Sequence, residues 1–306
     1  MQVDKADRGQ ETTESESRKG INGVMKDVTV GIVGLGLIGG SLGIGLRQQG
    51  LRVLGVSRSH LTCDLALERG VVDQASDDLS LLQQAEVIFI CTPMAAITAT
   101  VRGLLTYITP ETILTDVGSV KESILREVLP LWARFVGGHP MAGTAESGIM
   151  AAQEGLFINA PYILTPVDST PPESLDMVAR LVRSLGVKLY FTSPQEHDRT
   201  VALISHLPVM ISASLINTCS QQGNTAILSL AQNLASSGFR DTSRVGGGNP
   251  ELGLMMAQYN RQSLLDSLSQ YQENLQQVIT CIETENWQAL QIILETTQAT
   301  RPNFLR

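Results

Sequence analysis

Residues 28–33 (VTVGIV) run without a break into a loop in which Gly34, Gly36 and Gly39 stand at G-x-G-x-x-G spacing. A strand before the loop and a helix after it, over 38–49, supply the context that makes this spacing informative. Gly34 permits a tight turn, Gly36 allows close backbone approach to a pyrophosphate, and Gly39 lets the helix pack closely on the strand. The N–H groups of the first helical turn, around Leu37 and Ile38, and the helix dipole favour an anion. A nucleotide-binding βαβ unit is therefore expected.

The end of the second strand bears on which dinucleotide binds. An NAD site usually carries Asp or Glu about 20 residues after the loop, to accept from the ribose 2′-hydroxyl. Here the stretch is Gly55-Val56-Ser57-Arg58-Ser59, with no carboxylate. Ser57 and Arg58 can instead donate to a 2′-phosphate, for which a guanidinium is well suited. NADP is the expected cofactor; the alternative is that Arg58 is an ordinary exposed loop residue.

Further strand-like apolar runs occur at 52–56, 86–91, 112–117, 135–138, 160–164 and 187–191, with helical segments at 94–105, 119–129 and 172–185. Alternating strands and helices imply an α/β fold, a Rossmann-type doubly wound, mostly parallel sheet. After Ser193 no convincing strand appears, and an all-helical C-terminal domain is expected. Residues 195–221 read as one helix, with a kink expected at Pro208. Leu264, Leu268, Tyr271, Leu275, Val278 and Ile282 form a heptad-like seam, for packing within the chain or for a homodimer interface. The expected division is a disordered polar leader over 1–24, a dinucleotide domain over 25–193, and a helical substrate and dimerisation domain over 194–306. A chain of 306 residues, 43% hydrophobic, suffices for two cores at roughly 100–200 residues per domain.

Composition narrows the partners. A net charge of −8 and the lack of a basic stripe argue against nucleic acid. The four cysteines, Cys63, Cys91, Cys219 and Cys281, form no CxxC pair, and no cluster has zinc spacing, so no metal is expected. They read as small buried residues in a reducing compartment. No secretory segment and no uninterrupted apolar run of about 18 residues are read, so a soluble, cytoplasmic protein without a membrane partner is expected.

Three further segments look chemical. Ser119 lies in TDVGSVK, at the carboxyl end of a strand, the edge where open α/β sheets bind ligands. His139 lies in GGHPMAG, where a histidine held between glycines is a candidate acid or base. The helical part holds His197-Asp198, Ser205-His206-Leu207-Pro208 and the stretch 239–250 containing Arg244.

In order, GLGLIGGSL, CTP, TDVGSVK, GHPMAG, EHD, SHLP and DTSRV resemble the prephenate/arogenate dehydrogenase family of tyrosine biosynthesis, with a close likeness to its NADP-dependent, arogenate-using members. The resemblance runs from about residue 28 to about 280. It implies an oxidative decarboxylation, in which a ring hydroxyl is oxidised, hydride passes to nicotinamide, and the ring carboxylate leaves as CO₂. By motif, His139 polarises the hydroxyl and Ser119 contacts it or orients His139. Arg244 binds the ring carboxylate, His206 lines the pocket, and Thr92 and Pro93 lie beside the nicotinamide. Family members that use prephenate often carry a second histidine in SHLPH; here that position is Val209. This favours arogenate, with Asp198 a candidate for its ammonium group. Prephenate, or both substrates, remains the alternative. More distant readings are a β-hydroxyacid dehydrogenase, for which no catalytic lysine stands out, and a non-catalytic NADP-binding redox sensor.

Overall fold

The computed structural model describes residues 28–144 and 146–305. The leader expected over 1–24 lies outside the described residues. The chain divides into two compact units, the first ending at His197 and the second beginning at Asp198.

The first unit is an eight-stranded sheet: β1 (Thr29–Val33), β2 (Arg52–Val56), β3 (Gln74–Ser76), β4 (Val87–Ile90), β5 (Ile113–Asp116), β6 (Phe135–Pro140), β7 (Pro161–Thr165) and β8 (Lys188–Phe191). Their order is β3-β2-β1-β4-β5-β6-β7-β8. All neighbours are parallel except β6 and β7. Helices α1 (Leu37–Gln48), α2 (His60–Glu68), α3 (Met94–Leu104), α4 (Glu122–Val128) and α5 (Pro172–Arg183) link the strands. Strands covered on both faces read as continuous apolar runs, and all four residues of β4 are buried. Ile32, Leu42 and Leu46 have no exposed surface, and each such burial contributes about 1.5–3 kcal/mol.

Two departures from expectation have physical causes. β3 is a three-residue edge strand of polar composition, and such a strand adds backbone bonds without an apolar signature. The helix expected from 119 begins only at Glu122, because Lys121 precedes it and turns a fully buried side chain into the core.

The helical stretch Pro194–Ser220 joins the units and changes period within itself. It runs as α6 (Pro194–Val201), a π turn (Ala202–His206) and α7 (Leu207–Ser220). Pro208 cannot donate to the carbonyl four residues back, Ile204, and the irregular turn falls over that carbonyl. At α6 the Ser193 Oγ accepts from the Glu196 N–H, and the Glu196 carboxylate reaches back to the Ser193 N–H, a capping box.

The second unit continues with α8 (Thr225–Leu234), α9 (Ser237–Ser243), α10 (Pro250–Tyr259), α11 (Arg261–Glu283) and α12 (Trp287–Thr300). The heptad seam lies on α11, where Leu264 is buried but Tyr271, Leu275 and Ile282 are exposed. Packing within one chain thus accounts for only the start of that seam. Pro194–Ser220 contains a window of mean hydropathy 1.5, long and apolar enough by length and composition to cross a membrane, although it is not an uninterrupted apolar run. Ser205, His206, Pro208, Ser212 and Ser214 interrupt it.

Candidate active site

The glycine loop is shaped as its sequence requires. Gly34 has φ +98°, and a Cβ there would fall 2.6 Å from the Cys91 carbonyl oxygen. A Cβ on Gly39 would fall 2.0 Å from the Gly34 oxygen, whereas one on Gly36 would meet nothing within 4 Å. Gly36 therefore faces open space, as a backbone approached by a ligand must. The helix that starts at Leu37 has no side-chain cap and no acidic residue in its first turn, so Leu37, Ile38 and Gly39 present their N–H groups to an anion. Beside the loop, Thr92 Oγ1 is buried without a hydrogen-bond partner, an atom that a bound nucleotide can satisfy. The residues fit a dinucleotide.

Ser57 and Arg58 follow β2, with Ser57 half-buried and Arg58 exposed. Ser59 caps α2 by accepting from the Thr62 N–H at 3.2 Å, which fixes the turn carrying Arg58. Thr92 precedes Pro93, the N-cap of α3, and Ser119 Oγ lies 3.4 Å from Met94 Sδ. The carboxyl ends of β4 and β5 thus bring Ser119 beside the Thr92–Pro93 turn. Cys91, at the same edge, has its thiol pushed up by burial and then by the Asp116 charge. It stays neutral and is no nucleophile.

His139 sits on β6, opposite Ile163 of β7 and 9% exposed. Backbone pairing between β5 and β6 stops at Thr115 and Val136. Beyond it a side-chain pair takes over. Asp116 Oδ1 accepts from the Gly138 N–H at 3.2 Å, and Lys121 Nζ donates to the Gly138 carbonyl at 2.8 Å and to Asp116 Oδ2. Asp116 Oδ2 also accepts from the Gly118 N–H at 2.8 Å. The peptide that carries His139 is therefore held by a buried ion pair that also shapes the turn before Ser119. The ring of His139 reaches His197, with Nδ1 and Nε2 2.8 Å apart.

In the second unit, Asn260 joins α10 to α11 and is 4% exposed. Its Nδ2 donates to the Asp198 carbonyl at 2.7 Å and lies 3.2 Å from His206 Nδ1. A carbonyl can only accept, so Nδ2 is the amide nitrogen, and His206 Nδ1 must accept from it. His206 therefore carries its proton on Nε2. Asp198 and His206 are both enclosed, at 2% and 1% exposed. Arg244 is exposed and starts the turn Arg244–Gly247. Gly246 anchors that turn on α7: its N–H donates to Ser212 Oγ at 2.8 Å, and a Cβ would lie 2.3 Å from the Ala213 nitrogen.

Residues 42–191 match the nucleotide-binding domain of prephenate dehydrogenase, and residues 193–296 match its dimerization domain. The chain belongs to the prephenate dehydrogenase family. Members of this family are oxidoreductases, and the first unit is its nucleotide-binding domain. A crystal structure of Synechocystis arogenate dehydrogenase superposes with a TM-score of 0.85 at 52% identity, covering 90% of this chain and 100% of that one. Prephenate dehydrogenase of Bacillus subtilis is 34% identical, over 86% of this chain and 72% of its own length. Cyclohexadienyl dehydrogenase of Zymomonas mobilis is 29% identical, over 84% and 89%.

In this family member the first unit gathers the glycine loop, Thr92, Pro93, Ser119 and His139 along one edge of the sheet. The second gathers Asp198 and His206 around Asn260 and carries Arg244 at the start of the turn Arg244–Gly247. Sequence reasoning missed Asn260, the ring partnership of His197 and the joint role of Asp116 and Lys121. The last had a signal: two opposite charges five residues apart within an otherwise apolar strand-and-turn segment.

Proposed function

We propose that the protein oxidatively decarboxylates arogenate to tyrosine with NADP as hydride acceptor. The observation that carries this reading is the 52% identity to the Synechocystis arogenate dehydrogenase over 90% of the chain.

When bound, the nicotinamide supplies the acceptor for the hydride that leaves the hydroxyl-bearing ring carbon. His139 does the proton chemistry. Its Nδ1 is engaged by His197, so Nε2 takes the hydroxyl proton as hydride departs. The bond to the ring carboxylate breaks, CO₂ leaves, its electron pair completes the aromatic ring, and the phenolate oxygen so formed takes the proton back from His139. Ser119 orients the hydroxyl from the neighbouring turn. Arg244 offers a planar guanidinium that matches the ring carboxylate; it positions the ring, because tight ground-state binding would oppose loss of CO₂. His206, with its proton on Nε2, serves as a neutral donor to the substrate, and Asp198 is the candidate acid for the side-chain ammonium.

Arg58 and Ser57 support NADP, since no carboxylate stands at the end of β2 to repel a 2′-phosphate. Val209, in place of a second polar group after SHLP, supports arogenate over prephenate. Prephenate is the second reading, favoured by the 34% identity to the Bacillus subtilis enzyme. The exposed Tyr271, Leu275 and Ile282 on α11, within the segment matching a dimerization domain, support a homodimer.

The deciding experiment is initial-rate measurement with arogenate and prephenate, each with NADP and NAD. The reading expects the highest kcat/KM with arogenate and NADP. Faster turnover of prephenate would transfer the assignment to the second reading, and no nicotinamide reduction with either substrate would refute both.

A further inference from the structure

We infer that His197 is a positioning residue that selects the tautomer of His139. This rests on the reading of His139 as the base. The two rings meet edge to face, with centroids 5.1 Å apart and planes at 71°, and the Nδ1–Nε2 distance is 2.8 Å. Both are enclosed, at 9% and 2% exposed. Two imidazole nitrogens at that distance must share one proton, because two lone pairs or two N–H groups facing each other would repel.

The shared proton has two positions with opposite consequences. If it resides on His139 Nδ1, His197 Nε2 accepts, and His139 Nε2 carries a lone pair able to take a proton from a hydroxyl. If it resides on His197 Nε2, His139 accepts through Nδ1 and carries its own proton on Nε2, where it cannot act as a base. Catalysis requires the first arrangement, and His197 supplies the acceptor that holds it. When His139 takes the substrate proton it becomes an imidazolium with both nitrogens protonated, and its Nδ1–H remains donated to His197. The developing charge is thereby stabilised without moving the ring.

The backbone gives His197 a fixed place. It lies in the first turn of α6, its N–H donates to the Ser193 carbonyl at 3.0 Å, and the capping box formed by Ser193 and Glu196 secures that turn. Glu196 has its carboxyl held below the ordinary range by hydrogen bonds from Ser193 and Thr192. The acceptor is thus built on a capped helix start, so its ring is presented to β6 from a rigid element.

The test uses the full-length protein saturated with nucleotide, labelled with ¹⁵N-histidine. The chain has four histidines, so the ring nitrogens are few, and His139→Asn assigns its own signals by their loss. In the unaltered protein, His139 is expected protonated on Nδ1 and bare on Nε2. His197→Ala should abolish this single-tautomer signature and lower kcat by about 10²-fold, with KM changed less than about threefold. His197→Gln places an amide oxygen near the lost Nε2; it should restore the Nδ1–H signature and most of kcat, which a mere loss of packing would not do. Finding His139 protonated on Nε2, or an unaltered tautomer or kcat within threefold in His197→Ala, would overturn the proposal. Near-normal kcat in His139→Asn would instead remove the base assignment, and the proposal with it.

Discussion

Asp116 and Lys121 form an ion pair with neither side chain exposed, and between them they bind both the N–H and the carbonyl of Gly138. The pair replaces a ladder that ends one strand position earlier, and it fixes the backbone on which His139 stands. Removing one partner leaves an uncompensated buried charge. Lys121→Met should therefore lower stability by about 3–5 kcal/mol, read by denaturant unfolding at fixed protein concentration. Asp116→Asn with Lys121→Met together should cost less than the sum of the single changes. Additive effects would show that the two residues act independently.

The glycine loop separates structural from ligand-binding demands. Gly39→Ala should depress Tm and abolish nucleotide binding, because its Cβ would collide with the Gly34 oxygen. Gly36→Ala should leave Tm within about 2 °C, since its Cβ meets only open space, yet weaken nucleotide binding at least tenfold. Equal Tm losses for the two variants would contradict the assignment of Gly36 to the pyrophosphate.

Arg58→Asp should weaken NADP binding by more than about tenfold while sparing or improving NAD, because a carboxylate repels the 2′-phosphate and can accept from a 2′-hydroxyl. Isothermal titration with both nucleotides reads this directly, and an unchanged NADP affinity would leave Arg58 an ordinary exposed residue.

His139→Asn should reduce kcat by about 10²–10⁴-fold with little change in KM, the usual contribution of a general base. Steady-state kinetics above and below neutral pH test it. Activity in the unaltered enzyme should be lost on the acid side, where the ring is already protonated and cannot accept, and the residual activity of the variant should lack that acid limb.

Asp198→Asn separates the two substrate readings. If its carboxylate meets the ammonium, kcat/KM for arogenate should drop about tenfold or more, while that for prephenate, which has no ammonium, stays the same or rises. Parallel losses for both substrates would assign Asp198 to holding the fold instead, a role compatible with its 2% exposure and the Asn260 bond to its carbonyl.

Much of the first unit was legible: β8, though largely exposed, shows as the apolar run VKLYF, and because a strand buried on both faces must be apolar throughout, the central strands announce themselves as runs such as VTVGIV and EVIFIC. β3 did not, because Gln74–Ser76 contributes backbone bonds at an edge and buries nothing. Catalytic candidates were legible as motifs, His139 and Ser119 among them. Their supports were not. His139 and His197 are 58 positions apart, and no local pattern records a contact made across the sheet edge. Lys121 carries no sign of burial in the sequence, because lysine ordinarily seeks water, whereas here a carboxylate and a carbonyl replace that water. Asn260 belongs to no motif in the sequence; it ends one helix and begins the next, and its amide bonds to Asp198 and His206.

The π turn at Ala202–His206 makes this chain sensitive to length rather than to substitution. A π turn is an α-helix holding one residue too many, and each residue turns the helix by about 100°. Deleting a single residue there would remove the extra residue but leave Pro208 without an N–H to donate, and it would rotate all of Leu207–Ser220 by about that angle. Ser212 would swing away from the Gly246 N–H, and the turn that begins with Arg244 would lose its anchor. Frame-preserving insertions and deletions in this segment should therefore be the mutational class least tolerated in the second unit.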